Sequence, residues 1–466
     1  MSTQANLETA ADPATMLHAK EGRVTWLVAG GWGMGSFAAS TMYQAIGIFL
    51  MHYFVEIIGI AAVTAGALLS AVRLYDAFID PLVGTASDYT KSRWGRRRPY
   101  ILAGGLISGL SFILLFSLPT AETTPAIVWI VLGVLLINTT GYAILTIPYL
   151  AMPAEMTDKP NERTFIVSFR VAGMALGQIS GATITSLVIA AFGGGLIGHS
   201  AMAWVTALII ILAAIVCFWL TGRAPNIERA PPPHMSIWQK WSSALSNKPF
   251  LLLLLVKMAN LTGVHFFFAL IPFLFVSHHG LGYEVIGFFF LFQAMGMFGS
   301  QPFWVRVAKP LGKKGLYFLG AVLWSACVAS LALVDPAGSM AVIAVLAFTL
   351  GIAAGSLLLA GQAMLPDAIA ADFEKTGQRR EGLFAGVYTT VEKISGALAA
   401  VLIGASLTAI GFEGGGHGGG DAGEMASAGS NAILWLALIP GIFQFFSAIP
   451  LFFYHIPKKE EAPQSA

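Results

Sequence analysis

Charged side chains are scarce in this sequence. Asp, Glu, Lys and Arg make up 11% of its 466 residues, whereas 56% are hydrophobic, and the mean hydropathy is +0.74. Soluble domains carry about 25% charged residues, so a soluble class is excluded. The formal net charge of +2, with the basic residues dispersed into short clusters, also excludes a nucleic-acid partner. Such a chain is expected in the lipid bilayer.

Cysteine is nearly absent as well. Cys217 and Cys327 fall inside apolar stretches in opposite halves of the chain, which excludes a disulfide framework and a cysteine-based metal site. The glycine-rich segment 411–421 has neither the Lys-Ser/Thr ending of a phosphate loop nor a second histidine at ligand spacing, so it predicts a flexible connection. We therefore expect no enzymatic activity, no cofactor, and no metal apart from a coupling sodium ion.

Apolar stretches long enough to cross a bilayer, about 20 residues each, recur along the whole chain. They predict twelve spans, at residues 24–52, 60–85, 99–118, 125–151, 165–191, 202–221, 248–276, 283–308, 315–333, 338–363, 382–410 and 430–455. The spans form an N-terminal bundle at 24–221 and a C-terminal bundle at 248–455. The polar segments 1–23, 222–247 and 456–466 are predicted to be an N-terminal tail, a linker and a C-terminal tail.

Lys and Arg are absent from every odd-numbered connection between these spans and present in every even-numbered one. Positive residues are retained on the cytoplasmic side of short loops. The asymmetry predicts a multi-pass protein of the inner (plasma) membrane with both termini, and the linker, in the cytoplasm.

A weak internal repeat accompanies this pattern. Arg93-Trp94-Gly95-Arg96-Arg97 follows the second span, and Pro310-Leu311-Gly312-Lys313-Lys314 follows the eighth, at the same relative place. Parallel repeats of six spans around a midplane site are the architecture of the major facilitator fold. The predicted fold is thus an all-α membrane protein of two six-helix bundles related by a pseudo-two-fold axis.

Three ionisable residues lie on one face of the second span. Arg73, Asp76 and Asp80 are spaced i, i+3 and i+7, and ionisable groups within a span usually line the bundle interior or a water-filled path. Two carboxylates this close repel, so the pair is expected to hold a proton or a cation such as Na⁺. The alternative is a purely structural ion-pair network with Arg73.

Countercharges are available from both halves. Arg170 in the fifth span and Lys393 in the eleventh are the natural partners of the two acids, and a cation arriving at the acids would release them. Lys257 and Glu392 also lie within spans. Polar candidates for solute binding on inward faces are Ser40, Gln44, Thr146, Asn260, His265, Gln293 and Gln362; for His265 the alternative is a satisfied core histidine.

The residues from 73 to 100, 147 to 170 and 365 to 393 resemble the glycoside-pentoside-hexuronide:cation symporter family. The resemblance implies that Asp76 and Asp80 bind the cation and that Arg170 and Lys393 lie between cation and sugar. It also implies a cytoplasmic gate motif that holds the outward-open state, carried by Asp88, Arg93, Gly95, Arg96, Arg97 and Arg98. For any single arginine of this motif, the alternative is a plain topology determinant.

This sequence departs from the family at the cation site. Ile79 stands where sodium-using relatives offer an amide oxygen, and Ala143 stands at a hydroxyl position. Sodium needs several oxygen ligands, whereas a proton needs one base, so the proton is the preferred coupling ion. Tyr75, Tyr142 and Thr146 are the replacement ligands if sodium is used.

The sugar pocket departs from melibiose-type members too. Ala39 and Ser40 replace an adjacent Lys and Asp, and Thr146, Leu150 and Leu358 replace an acid and two tryptophans. Loss of these groups removes hydroxyl contacts and ring stacking, which argues against a galactoside.

The expected function is a cation-coupled secondary active symporter, working as a monomer, that imports a glycoside or related small organic solute by alternating access. Its expected partners are the solute, the coupling cation and the lipid bilayer. One alternative is a carrier of an amphipathic, lysolipid-like substrate on the same fold. The other is a non-transporting sensor or assembly factor, which the retention of both acids and both countercharges disfavours.

Overall fold

A computed structural model describes residues 19–20, 24–118, 125–157, 159–224, 226–227, 245, 247–333, 340–376, 381–411 and 435–454. The first-half helices are α1 (Trp26–His52), α2 (Ala62–Tyr89), α3 (Arg98–Leu115), α4 (Pro125–Met156), α5 (Pro160–Ile179, extended by Thr185–Ala191) and α6 (Gly195–Leu220). The second-half helices are α7 (Lys248–Pro272), α8 (Tyr283–Gly299), α9 (Gln301–Leu333), α10 (Met340–Thr376), α11 (Glu381–Ala409) and α12 (Leu438–Ser447). Two-residue strands β1 (Ala19–Lys20) and β2 (Asn226–Ile227) pair antiparallel.

Within the described residues, ten helices are long and apolar enough to cross a membrane, and the apolar helices at Tyr283–Gly299 and Leu438–Phe452 are shorter. The predicted multi-pass architecture is therefore confirmed. Most of the predicted linker, the glycine-rich connection and both tails lie outside the described residues, apart from β1, β2 and a few neighbouring positions.

The eighth predicted span is interrupted once within its bounds. Helix α8 ends at Gly299, and α9 begins two residues later, while the amide of Trp304 donates to the carbonyl of Ser300 at 3.0 Å and so continues the helical hydrogen bonding. The chain breaks instead at Gly312, whose φ of 69° suits a residue without a Cβ. The predicted span 283–308 thus consists of α8 and the beginning of α9.

The two halves have the same helix packing. The five most extensive packed pairs of the first half are α1–α5, α1–α6, α2–α4, α3–α4 and α3–α6, and those of the second are α7–α11, α7–α12, α8–α10, α9–α10 and α9–α12. Adding six to each helix number of the first set gives the second. The six-plus-six repeat inferred from the two loop sequences is confirmed.

The halves meet through α1–α7, α2–α11 and α5–α8. The contacts are close: a Cβ on Gly66 of α2 would lie 2.4 Å from the carbonyl oxygen of Ala400 on α11, and the hydroxyl of Thr183 donates to the carbonyl of Gly287 at 3.0 Å. We call this end of the bundle, where α1 ends and α2 begins, the closed end. The opposite end, where residues 90–97 join α2 to α3, is the basic end.

Three helices of the closed end contain π-helical turns. Tyr53–Ile57 extends α1, Ser180–Ile184 interrupts α5, and Phe273–His278 extends α7. Such turns are commonly found at functional positions. Here all three belong to helices through which the halves touch.

Candidate functional site

Lys393 joins the two halves of the molecule in the middle of the bundle. Its Nζ lies 3.0 Å from Oδ2 of Asp76, donates to the backbone carbonyl of Asp76 at 2.9 Å, and forms an ion pair with Oδ2 of Asp80. An ammonium group has three N–H donors, and two of them form hydrogen bonds, to the carbonyl of Asp76 and to Oδ2 of Asp80. The acids belong to α2 in the first half and the lysine to α11 in the second.

The two acids differ in how well they are satisfied. The side chain of Asp76 is 8% exposed and that of Asp80 is 23% exposed. The second carboxylate oxygen of Asp76, Oδ1, is buried and accepts no hydrogen bond from the part of the chain that the structure describes. A buried acceptor without a donor is unfavourable by about 1–3 kcal/mol. The carboxylates of Asp76 and Asp80 can therefore accept a proton or bind a small cation.

Arg73 takes no part in this ion-pair network. Its guanidinium lies over the ring of Tyr43, 5.1 Å from the centroid, and forms no ion pair with any described residue. The alternative of a structural network built on Arg73 is therefore wrong, because Lys393 rather than Arg73 pairs with both acids. The hydroxyl of Tyr43 lies 2.7 Å from Nε2 of His265, which joins α1 to α7.

A cavity of about 100 Å³ lies between the halves, next to Asp76. Its polar lining residues are Tyr43, Arg73, Asp76, Asn138, Thr139, Tyr142 and His265, and most of the remaining wall is apolar. Of the residues predicted to bind solute or cation, this cavity brings together Arg73, Asp76, His265 and Tyr142.

The six other polar residues predicted to bind solute do not line the cavity: Ser40, Gln44, Thr146, Asn260, Gln293 and Gln362. The amide of Asn260 donates to Gln444 of α12. Ser40 and Gln44 pack against α5, where a Cβ on Gly177 or Gly181 would lie 2.7 or 2.8 Å from their own Cβ atoms. The hydroxyl of Thr146 donates to the carbonyl of Tyr142 at 2.8 Å, and Gln362 is exposed. Ser40, Gln44 and Thr146 thus serve helix packing and local hydrogen bonding in this conformation.

Two further basic residues behave differently from Lys393. Arg170 is half-buried, its backbone carbonyl accepts a hydrogen bond from Ser36 at 2.9 Å, and its side chain forms no ion pair with a described residue. Lys257 donates to the carbonyl of Tyr388 at 2.9 Å and pairs with Glu392 at 3.3 Å. The Lys257–Glu392 pair is confined to the second half.

At the basic end, the arginines of the predicted gate motif link helices of the first half to one another. Arg96 pairs with Glu155 at 2.5 Å, Arg97 pairs with Asp88 at 2.8 Å and also with Glu155, and Arg98 donates to the carbonyl of Phe218 at 3.0 Å. These bonds tie the start of α3 to α2, α4 and α6. Within the described chain, all the ion pairs and hydrogen bonds of these three arginines are with first-half residues.

The other two motif residues are Gly95 and Arg93. Gly95 has a φ of 91°, which allows the tight turn before α3. The guanidinium of Arg93 lies 4.8 Å from the ring centroid of Trp94.

Sequence reasoning missed Tyr43, Asn138 and Thr139. The amide of Asn138 donates to the hydroxyl of Ser111 at 3.0 Å, which fixes α4 against α3 beside the cavity. A polar Asn-Thr-Thr run within a span was the available signal for α4. Tyr43 gave no such signal, because an aromatic residue at helical spacing more often belongs to a core.

Comparisons with known proteins agree with this architecture. Residues 31–458 match the family described as MFS/sugar transport protein. Over 437 residues the chain is 25% identical to the uncharacterized symporter YnaJ of Bacillus subtilis (strain 168), covering 92% of each chain. It is 28% identical over 211 residues to the isoprimeverose transporter of Lactiplantibacillus pentosus, covering 45% of this chain and 43% of the relative.

Solved structures show the same fold. An inward-facing, unoccupied bacterial homolog of the lysosomal transporter Spinster matches with a TM-score of 0.68 at 14% identity, covering 92% of this chain and 96% of its own. The nucleoside transporter NupG matches with a TM-score of 0.60 at 15% identity, covering 92% and 98%. With the family match and the motifs between residues 73 and 393, the chain belongs to the MFS/sugar transport proteins, in the glycoside-pentoside-hexuronide group of multi-pass transporters.

Proposed function

We propose that this protein is a cation-coupled symporter that imports a glycoside or a related small organic solute by alternating access. The observation that carries the proposal is the bonding of Lys393, on one half, to both Asp76 and Asp80 on the other. The names of the relatives, a symporter and an isoprimeverose transporter, support the same class of cargo.

The charges suggest how a cation would act. Two carboxylates and one ammonium sum to −1, so the cluster attracts one further positive charge. Once a proton or Na⁺ neutralises one acid, Lys393 loses part of its attraction to α2. Removing one partner of a buried ion pair destabilises a structure by about 3–5 kcal/mol. That is enough to shift the balance between two conformations in which the halves pack differently.

The residues around the acids favour a proton over sodium. Ala143 is fully buried and Ile79 is half-buried, and neither side chain has an oxygen to offer. The hydroxyl of Tyr75 is engaged with Thr140 at 2.9 Å and that of Thr146 with its own helix, which leaves Tyr142 as the replacement ligand beside the cavity. A proton requires only one base, and either acid supplies it.

The basic end is proposed to face the cytoplasm. Lys and Arg occupy the even-numbered connections, including the one that forms this end. The closed end would then face outward, so the described conformation is closed on its outer side.

The test is uptake into vesicles containing the purified protein. Sugars, sugar acids and other small solutes are screened under imposed proton or sodium gradients, with Asp76→Asn and Asp80→Asn beside the wild type. Wild-type uptake driven by one gradient, and lost in both variants, is the expected result. Asp367→Asn is the matched control, since Asp367 pairs with Lys313 at an exposed position. Gradient-driven uptake that both site variants retain would disprove the coupling role.

An amphipathic substrate is the second candidate function. Most of the cavity wall is apolar, and residues such as Met42, Leu69 and Phe268 would suit an acyl chain better than a sugar ring. The same vesicles, supplied with a fluorescent lysolipid, separate the candidates, because a lysolipid carrier would move that probe and leave free sugars outside.

A further inference from the structure

Arg73 is a cation in the middle of the bundle whose charge no described acid pairs with. The other two described cations of the central cluster are both held by carboxylates: Lys393 by Asp76 and Asp80, and Lys257 by Glu392. Arg73 contacts the face of Tyr43 and lines the cavity. A charged group inside a membrane span is unfavourable and is usually paired or functional. Its guanidinium can therefore donate hydrogen bonds to a ligand that enters the cavity.

His265 faces the same place. Its Nε2 is engaged by the hydroxyl of Tyr43 at 2.7 Å, whereas its Nδ1 is buried and has no hydrogen-bond partner among the described residues. When the Tyr43 hydroxyl donates to Nε2, the ring proton resides on Nδ1. His265 then presents a second N–H donor, from the other half of the molecule.

Gly396 keeps the space between these two side chains open. A Cβ at this position would lie 3.5 Å from Nε of Arg73 and 3.6 Å from Nδ1 of His265. These are ordinary contact distances, so the backbone would tolerate a side chain, but the side chain would fill the gap. Gly396 lies three residues after Lys393, which places the gap next to the cation site on the same helix.

We infer that the transported solute carries an oxyanion, and that Arg73 and His265 bind this oxyanion in the gap that Gly396 leaves. The inference rests on the proposed import function and specifies its substrate class. Arginine forms strong, charge-assisted hydrogen bonds with carboxylate, sulfonate and phosphate oxygens.

The charges of the cluster agree with this substrate class. The ion-paired group of Asp76, Asp80 and Lys393 carries a charge of −1, which one coupling cation would neutralise. Arg73 lies outside this group, so its charge of +1 would then remain. A solute with one negative charge restores neutrality, whereas a neutral glycoside would leave the excess charge in a low-dielectric site. Cation and anion would therefore each favour the binding of the other.

The oxyanion could belong to an acidic sugar or to the phosphate of a lysolipid. Both present the same chemistry to Arg73, and they differ in what fills the rest of the cavity. The experiment therefore uses phenyl β-glucuronide and phenyl β-glucoside, which differ by a carboxylate in place of a hydroxymethyl group, and a lysophosphatidylglycerol as the third probe.

Binding to the purified full-length protein is measured at equilibrium by calorimetry, with no gradient. The wild type is expected to bind at least one of the two anionic probes and to bind the neutral glucoside about tenfold to a hundredfold more weakly, as loss of a charged hydrogen bond predicts. Glucuronide binding indicates an acidic sugar, and lysolipid binding indicates the phosphate source. Arg73→Gln should remove the preference for the anion, whereas Arg73→Lys should retain part of it.

Two controls keep the result interpretable. Arg306→Gln removes an exposed arginine of α9 and should leave binding unchanged. Gly396→Val should weaken anion binding by filling the gap, even if Arg73→Gln does not fold.

The inference is overturned if neither anionic probe binds, if the glucoside binds as tightly as its anionic counterpart, or if Arg73→Gln keeps the preference. The proposed function fails separately, because it requires only gradient-driven uptake of some solute. Gradient-coupled uptake of a neutral glycoside would support the proposed symport and would refute the inference that the solute carries an oxyanion.

Discussion

The contact between α2 and α11 is made in two different ways along its length. Towards the closed end, Gly66 and Gly404 bring the two backbones together, and their Cβ positions would lie 2.4 and 2.6 Å from carbonyl oxygens of the opposite helix. Ten residues further along α2, about 15 Å at 1.5 Å per residue, the same helices are joined by Lys393, Asp76 and Asp80.

The two regions respond to different changes. The glycine contact depends on shape alone, so it is insensitive to ions and sensitive to any added carbon atom. The charged contact depends on ion pairs, so under the proposed function a single cation would weaken it. One interface would then combine a fixed close contact with a contact that responds to a ligand. Four variants test this division, from the largest expected effect to the smallest.

Removal of the shared ammonium should have the largest effect. In Lys393→Ala, the buried carboxylate of Asp76 and the half-buried carboxylate of Asp80 lose their partner, which destabilises the contact by about 3–5 kcal/mol. We expect gradient-driven uptake in vesicles to fall by about a hundredfold or more. Lys313→Ala, which removes an ammonium from an exposed pair with Asp367, should transport normally. Normal uptake by Lys393→Ala would mean that the charged contact is dispensable.

An added methyl group at the glycine contact should separate the halves at the closed end. Gly66→Ala places a Cβ against the carbonyl of Ala400 and should destabilise the closed arrangement by about 1–3 kcal/mol. His52 is buried in the wild type. A cysteine introduced at this position becomes exposed when the closed end separates, and it then reacts faster with a maleimide. Gly386→Ala, where a Cβ meets nothing within 4 Å, is the control. Equal labelling in both variants would show that the glycine contact does not hold this end closed.

Loss of an arginine at the basic end should reduce stability rather than coupling. Arg97→Gln breaks the bonds to Asp88 and Glu155, and we expect a loss of about 1–3 kcal/mol in the free energy of unfolding. Thermal unfolding in detergent measures this loss of stability. Arg93→Gln is the matched control, because Arg93 forms no ion pair with a described residue. If instead Arg97→Gln leaves the melting temperature unchanged and alters the labelling of position 52, the motif acts between the halves.

The smallest effect is expected from a single hydrogen bond between α5 and α8. Thr183→Val removes the donor to the carbonyl of Gly287 and should favour opening by about 0.5–1.5 kcal/mol. The labelling rate at position 52 should rise by about twofold to tenfold. Thr408→Val provides the comparison, since Thr408 donates only to the carbonyl of Gly404 in its own helix. A rise of the same size in both variants would contradict the assignment.

Much of the fold could be predicted from the sequence because hydrophobic length and the Lys/Arg pattern are local properties of the chain. The spans follow from hydrophobic length, the repeat from the two loop sequences, and the common face of Asp76 and Asp80 from helical spacing. The break at Gly312 was also visible in its loop sequence. The interruption at Ser300, between α8 and α9, was not, because nothing in the local sequence distinguishes it from the rest of the predicted span 283–308.

The partners of the acids were harder to predict, since they depend on how the halves are rotated against each other. Arg73, Arg170 and Lys393 are equally basic in sequence, and only the packing of α2 on α11 selects Lys393. Tyr43 and Gly396 were missed for the same reason. Their roles exist only where α1, α7 and α11 converge.

The packing of the helices has one further consequence, for the order of the chain itself. The contacts between halves, α2–α11, α5–α8 and α1–α7, also map onto themselves when six is added and the numbering is taken around twelve. A circularly permuted gene that encodes residues 248–454 before residues 24–220 would therefore specify the same set of helix neighbours. The helix packing alone does not distinguish a first half from a second. The placement of charge does, because Asp76 and Asp80 lie in the middle of α2 whereas α8 contains no aspartate.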